Sequence, residues 1–121
     1  MKKKIKIAIF VPQIAGGGAE RFSVNLANEF INKGLNVVLI TCLKCKNEYD
    51  FSKEIVRINL FSNKSGLKGF IDHVCKLKKV LKNNKIDILI SVDIYANLCS
   101  CIINCFLKTV ICISERNAPK Q

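Results

Sequence analysis

Ile5-Lys-Ile-Ala-Ile-Phe-Val-Pro-Gln-Ile-Ala-Gly-Gly-Gly-Ala-Glu-Arg-Phe-Ser-Val-Asn-Leu-Ala27 is the stretch that decides the fold. Its apolar run Ile5–Val11 reads as a strand, and Pro12–Gly18 reads as a loop with three consecutive glycines. From Ala19 to about Lys33, Phe22, Leu26, Ala27, Phe30 and Ile31 fall on one face at 3.6 residues per turn, which predicts a helix. Gly34 then supplies the left-handed residue that commonly ends a helix. Asn36–Cys42, centred on Val37-Val-Leu-Ile40, is a second strand. A strand, a helix and a second strand in succession imply a right-handed crossover unit with parallel strands.

The alternation continues outward from that unit. Leu43–Glu54 is polar and charged and reads as a loop, and Ile55–Leu60 as a short third strand that contains Arg57. Leu67, Phe70, Ile71, Val74, Leu77 and Leu81 mark the buried stripe expected of a second helix, with Lys68, Lys76, Lys78, Lys79 and Lys82 on its other faces. Ile86–Val92, Tyr95–Phe106 and Thr109–Ile113 complete the series as strand, helix and strand. Short runs of Ile, Leu and Val without polar alternation suit strands covered on both faces. The implied architecture is α/β: a Rossmann-like open parallel sheet with helices on both faces, one domain over residues 1–121. The chain stops within eight residues of the fifth strand, without a helix to cap it. A six-stranded sheet would then be incomplete, and the expectation is a truncated piece of a longer design.

Composition narrows the partners. Twenty Lys and Arg oppose nine Asp and Glu, a net charge of +11 that attracts anions such as nucleic acid, acidic lipid or phosphorylated small molecules. Only Arg21, Arg57 and Arg116 are arginines, and their planar fork suits oxyanions better than the point charge of Lys. Seven cysteines, an odd number mostly within apolar runs, point to a reducing cytoplasm and not to a disulfide framework. Cys42-Leu-Lys-Cys45 has no second ligand pair, and the single histidine, His73, is far along the chain, so zinc chemistry is not expected there. Met1-Lys-Lys-Lys4 resembles the start of a signal peptide, yet Ile7–Val11 is too short for its apolar core and no cleavage signal follows. Leu98–Leu107 is far below the ~18 apolar residues that span a bilayer.

In an open parallel sheet, ligands bind beyond the carboxyl ends of the strands where strand order reverses. The loops there are Pro12–Gly18, the segment from Leu43, Asp93–Asn97 and Ser114–Pro119. Gly16, Gly17 and Gly18 allow backbone to approach a bulky anion, and free amides at a helix start favour negative charge. A flexible turn without a ligand is the alternative. A dinucleotide fingerprint would need glycine where Arg21 stands and an acidic residue where Thr41 and Cys42 stand. A P-loop would need Gly-Lys-Ser/Thr after the glycines, and that is absent.

Phe10-Val-Pro-Gln-Ile-Ala-Gly-Gly-Gly-Ala-Glu-Arg21, with Val24-Asn-Leu-Ala27, Lys33-Gly-Leu-Asn-Val37, Lys85-Ile-Asp-Ile-Leu-Ile-Ser91 and Ile113-Ser-Glu-Arg-Asn-Ala-Pro119, resembles the amino-terminal domain of the family-four retaining glycosyltransferases. The likeness is nearest to bacterial members that extend lipid-linked or cell-surface glycans. It implies one lobe of a two-lobed GT-B fold, with acceptor on this lobe and nucleotide-sugar donor mainly on a carboxyl-terminal lobe missing from the 121 residues. That lobe would follow or be separately encoded, and this chain alone would be inactive. No metal cofactor is implied. Residue by residue, Gly16, Gly17 and Gly18 would line the cleft near the donor phosphates. Glu20 and Arg21 would contact acceptor or orient the loop, the alternatives being dipole stabilisation for Glu20 and a plain surface charge for Arg21. Asn97, Glu115, Arg116 and Asn117 are further acceptor or cleft-lining candidates. Many relatives carry a histidine after the fifth strand, where this chain has Ser-Glu-Arg-Asn, so no histidine role is assigned and His73 is expected at the surface. The likeness also implies peripheral contact with anionic lipid at the inner face of the membrane, through the lysines of the second helix. A basic anion- or nucleic-acid-binding module without catalysis is the competing reading; no helix-turn-helix signature, zinc spacing or aromatic cluster supports nucleic acid.

Overall fold

The structure is a computed structural model that describes residues 5–43, 45–105, 107 and 109–114. The five strands are β1 (Lys6–Phe10), β2 (Asn36–Thr41), β3 (Val56–Asn59), β4 (Ile88–Val92) and β5 (Val110–Ser114). The three helices are α1 (Gly18–Asn32), α2 (Gly66–Asn83) and α3 (Ile94–Ile103). All strands pair in parallel in the order β3-β2-β1-β4-β5. Every element predicted from the sequence is present, with ends displaced by at most three residues.

Register assigns the side chains to two faces. Ile7, Ile9, Val37 and Leu39 pack under Val24 and Ala27 of α1. Ala8, Phe10, Val38, Ile40 and Leu89 pack under Leu77 and Leu81 of α2 and Cys99 and Ile103 of α3. The chain therefore winds over one face to reach β2 and over the other to reach β4. The reversal falls between β1 and β4, where Ile7–Phe10 pair with Ile88–Ser91. Burial of each large apolar side chain in such a core stabilises by about 1.5–3 kcal/mol. Gly34 takes φ +83 after α1, as its position required.

Two features depart from the sequence reading. The buried stripe of α2 holds Leu77 and Leu81, with Phe70 and Val74 partly covered, but Leu67 and Ile71 are exposed. Leu67 and Ile71 share an outward face with Cys75, Lys78 and Lys82, all exposed, whereas Phe70, Val74, Leu77 and Leu81 face the core. The second departure is the β2–β3 connection. Its Tyr49 and Phe51 pack on the α1-side core together with Ile14 and Ile55, so the polar segment is tied down.

His73 is half-buried on α2, and its Nδ1 lies 2.6 Å from the Tyr95 hydroxyl of α3. The expectation of a simple surface histidine is corrected: the ring joins two helices, edge-on to Tyr95 as Phe70 also is. Burial lowers the His73 pKa below 6.5, with Asp72 opposing the shift and Lys76 adding to it. The unfolded chain takes up this proton first as pH falls. Its contribution to stability is thus complete above about 6.5 and declines as pH drops below that value. Urea midpoints measured at neutral and mildly acidic pH should fall more for the native chain than for His73→Gln; equal falls would show that His73 is not a source of the acid sensitivity.

Candidate functional site

Val11 leaves β1 paired to Ile40 O at 3.0 Å, and Pro12 O accepts from Cys42 N at 2.8 Å and Leu43 N at 2.9 Å. The exit of β1 is thereby held against the exit of β2, and the glycine bend stands on the carboxyl rim beside the β1–β4 reversal. Gly16 has φ +99, a conformation that side chains rarely adopt, and no heavy atom lies within 4 Å of where its Cβ would be. Gly18 is equally open. Gly17 differs: its N–H donates to Glu20 Oε1 at 2.8 Å, so the glutamate reaches back to cap the start of α1. The N–H groups of the first helical turn have no intrahelical acceptor, which leaves a partial positive charge at this end.

The bend is steadied from a distance. Tyr49, in the β2–β3 connection, donates its hydroxyl to Gly16 O at 2.8 Å, and its N–H donates to Ile14 O at 2.9 Å. The Arg21 guanidinium lies 5.3 Å from the centre of the Tyr49 ring, a cation–π arrangement. A cleft of about 140 Å³ opens there, lined by Arg21, Val24, Asn25, Tyr49 and Asp50. Tyr49 is in turn anchored by its neighbour. Arg57 of β3 donates to both carboxylate oxygens of Glu48 at 2.8 Å and to Thr41 Oγ1 at 3.0 Å, with side chains only 17% and 15% exposed. Glu48 Oε2 also accepts from Cys45 N at 3.0 Å. Sequence reasoning missed Glu48 and Tyr49. The signal available was one acidic and one aromatic residue in a loop with a strand arginine a few residues on.

The candidates drawn from the sequence separate into three groups. Gly16, Gly17, Gly18, Glu20 and Arg21 come together on the rim. Glu20 orients the bend through Gly17, and Arg21 faces the cleft beside Tyr49. Asn97 is buried within α3; with its amide nitrogen turned to β4, it donates to Ser91 O and Oγ at 3.0 Å and to Asp93 O at 3.2 Å. It therefore braces the β4–α3 turn, where Asp93 takes the strained φ of +92. Glu115, Arg116 and Asn117 lie outside the described residues.

Burial, then the neighbouring Cys99, pushes the Cys42 thiol up to about 12, and Cys45 Sγ lies 3.3 Å from Gln13 Oε1. Among the described residues no three His, Cys, Asp or Glu gather as metal ligands would. Nor is any described helix long and apolar enough to cross a membrane.

A doubly wound parallel sheet with an open glycine bend at its reversal defines the class, a Rossmann-like lobe of the GT-B kind. Residues 16–115 match the profile of Glycosyltransferase Family 4, and the chain belongs to that family. Sucrose-phosphate synthase from Thermosynechococcus elongatus is similar in structure, with a TM-score of 0.77 at 11% identity over 94% of this chain and 33% of that one. A glycosyltransferase from Rickettsia africae ESF-5 gives 0.68 at 16% identity, over 93% and 30%. WaaG, a glycosyltransferase involved in lipopolysaccharide biosynthesis, gives 0.62 at 18% identity, over 72% and 23%. The chain thus spans a third or less of the length of these structures. No curated protein matches it.

Proposed function

We propose that this lobe serves the transfer of a sugar from a nucleotide-sugar donor to a glycan or lipid-linked acceptor, with retention of configuration. The observation that carries the reading is the triglycine bend, open at Gly16 and Gly18 and backed by the start of α1 on the carboxyl rim. As the bond from the sugar to the donor diphosphate breaks, negative charge gathers on the departing phosphate oxygen. Preplaced amides at such a point contribute roughly 10²–10³ in rate per donor. Glycine lets the phosphate approach without a side chain in the way. In this reading the positive charge comes from backbone and Arg21, with no metal cofactor. The cleft between Arg21, Asn25 and Asp50 offers the polar groups that acceptor hydroxyls need.

The nucleotide half of the donor would be held by a second lobe, in this chain's continuation or encoded apart. The 121 residues alone are accordingly expected to turn over no nucleotide sugar; turnover by the purified chain would refute that division of labour. The bend itself is testable with inorganic pyrophosphate and an ¹⁵N-labelled chain. Saturable shifts are expected at the Gly16–Gly18 amides. Glu20→Gln keeps an acceptor for the Gly17 N–H while removing the carboxylate charge that lies against the bend, and should tighten binding about fivefold. Shifts elsewhere with silent glycines would sink the assignment. A steep salt-dependent affinity for nucleic acid in their place would favour the non-catalytic alternative.

A further inference from the structure

Among the described residues, three glycines take positive φ: Gly16 at +99, Gly34 at +83 and Gly66 at +62. Two other residues do so. Lys85, at +53, falls in the small left-handed region that other side chains enter. Asp93 is different: with φ 92 and ψ 149 it occupies a region that is essentially reserved for glycine. Its surroundings enforce this conformation. Asn97 N donates to Asp93 O at 2.9 Å, and the Asn97 amide donates to the same oxygen at 3.2 Å and to Ser91. Ser91, Val92 and Ala96 are fully buried around the turn. A bend that needed only this geometry would carry glycine, so the aspartate side chain is kept against backbone strain. Local duty does not account for it. Asp93 stands at the N-cap of α3, yet its carboxylate makes no cap hydrogen bond, and no other described residue pairs with it.

Position supplies a reason. β1 and β4 stay paired up to Phe10 and Ser91. Two residues later one segment has reached Pro12, which opens the glycine loop, and the other Asp93, on strands ~5 Å apart. The half-buried carboxylate thus stands on the carboxyl rim at the reversal of strand order, where open parallel sheets bind ligands. Like charge sets it against a phosphate, so the donor diphosphate is not its partner. A carboxylate accepts hydrogen bonds and donates none, which suits the hydroxyls of a neutral sugar. We infer that Asp93 is a sugar-binding residue of the rim, its carboxylate accepting from adjacent hydroxyls of a hexose beside the glycine bend. Asn97 is then the positioning residue that holds it there. The choice of a sugar as ligand rests on the transferase reading; the exchange of backbone relaxation for a carboxylate does not.

Asp93→Gly tests stability and binding in one variant. Glycine relaxes the backbone, so Tm followed by circular dichroism should rise by about 5 °C. The ¹⁵N-labelled native chain, titrated with methyl α-D-glucopyranoside and with glucose 1-phosphate, should show saturable shifts at the Asp93 amide and the Asn97 side-chain amide. Asp93→Gly should weaken that binding about tenfold, and Asp93→Asn about threefold, because an amide keeps one acceptor oxygen but loses the charge. Glu29→Gln, which removes an exposed carboxylate on α1, should change neither Tm nor sugar binding. Glucose 1-phosphate moving Asp93 and the glycine amides together would mark the hexose as the sugar transferred. The glycoside moving Asp93 alone would mark it as part of the acceptor. A glycine variant that melts at or below the native Tm would overturn the inference, as would native-like sugar affinity in that variant or an Asp93 amide unmoved by both sugars. Silent Gly16–Gly18 amides with pyrophosphate, beside intact sugar shifts at Asp93, would sink the reading of the bend and leave Asp93 standing.

Discussion

Arg57→Ala is expected to destabilise the lobe by about 3 kcal/mol, because it strands the Glu48 carboxylate in a site closed to most solvent. The two side chains are 17% and 15% exposed, and both oxygens of Glu48 receive guanidinium N–H groups at 2.8 Å. This is a different regime from an exposed ion pair, whose worth is ~0–1 kcal/mol. At this chain length the loss corresponds to a fall in Tm of roughly 10 °C. Arg57→Lys should lie between, since an ammonium keeps the charge but cannot fork to two oxygens and Thr41 together. The damage should spread to the rim: Glu48 precedes Tyr49, which holds Gly16 O at 2.8 Å. Thermal melting followed by circular dichroism checks the magnitude. If Arg57→Ala melts within about 1 kcal/mol of the native chain, the pair is equivalent to a surface salt bridge and its role as anchor is wrong.

Gly16→Val is expected to abolish pyrophosphate binding at the bend while costing about 1–3 kcal/mol of stability. No neighbour blocks a side chain at Gly16, so the cost lies in the backbone alone: φ is +99, where a β-branched residue is strained. The loop relieves that strain by rotating its peptide planes, which turns the amides away from the rim. Gly18→Ala provides the contrast. Gly18 is the first residue of α1, is not among the glycines with positive φ, and has open space for a methyl group. Alanine there should stabilise by about 0.5–1 kcal/mol, as it does in helices generally. Paired denaturant and pyrophosphate titrations separate the two effects. Unaltered binding by Gly16→Val would mean that the bend's conformation does not matter to the anion.

The acid sensitivity assigned to His73 is smaller than either of these effects, yet it shows how a residue misjudged in the sequence acquires a role. Nothing near His73 in the chain indicates Tyr95, which is 22 residues away and meets it only when α2 and α3 pack on the same face. The Leu67–Leu81 stripe has the same origin. Its 3.6-residue spacing holds for Phe70, Val74, Leu77 and Leu81, but Leu67 and Ile71 lie on the outward face with Cys75 and Lys78.

Local chemistry therefore settled a good deal. Apolar runs rich in Ile, Leu and Val marked β1, β2 and β4. The spacing from Phe22 to Ile31 marked α1 and Gly34 its end. These features depend on neighbours within one or two turns of chain, so sequence alone determined them, together with the parallel α/β class. The tertiary structure decided the rest: strand order, which face of α2 turns outward and bares Leu67 and Ile71, the clamp of Arg57 on Glu48 and the hold of Tyr49 on Gly16. Each depends on partners brought together from separate elements, which no local pattern encodes.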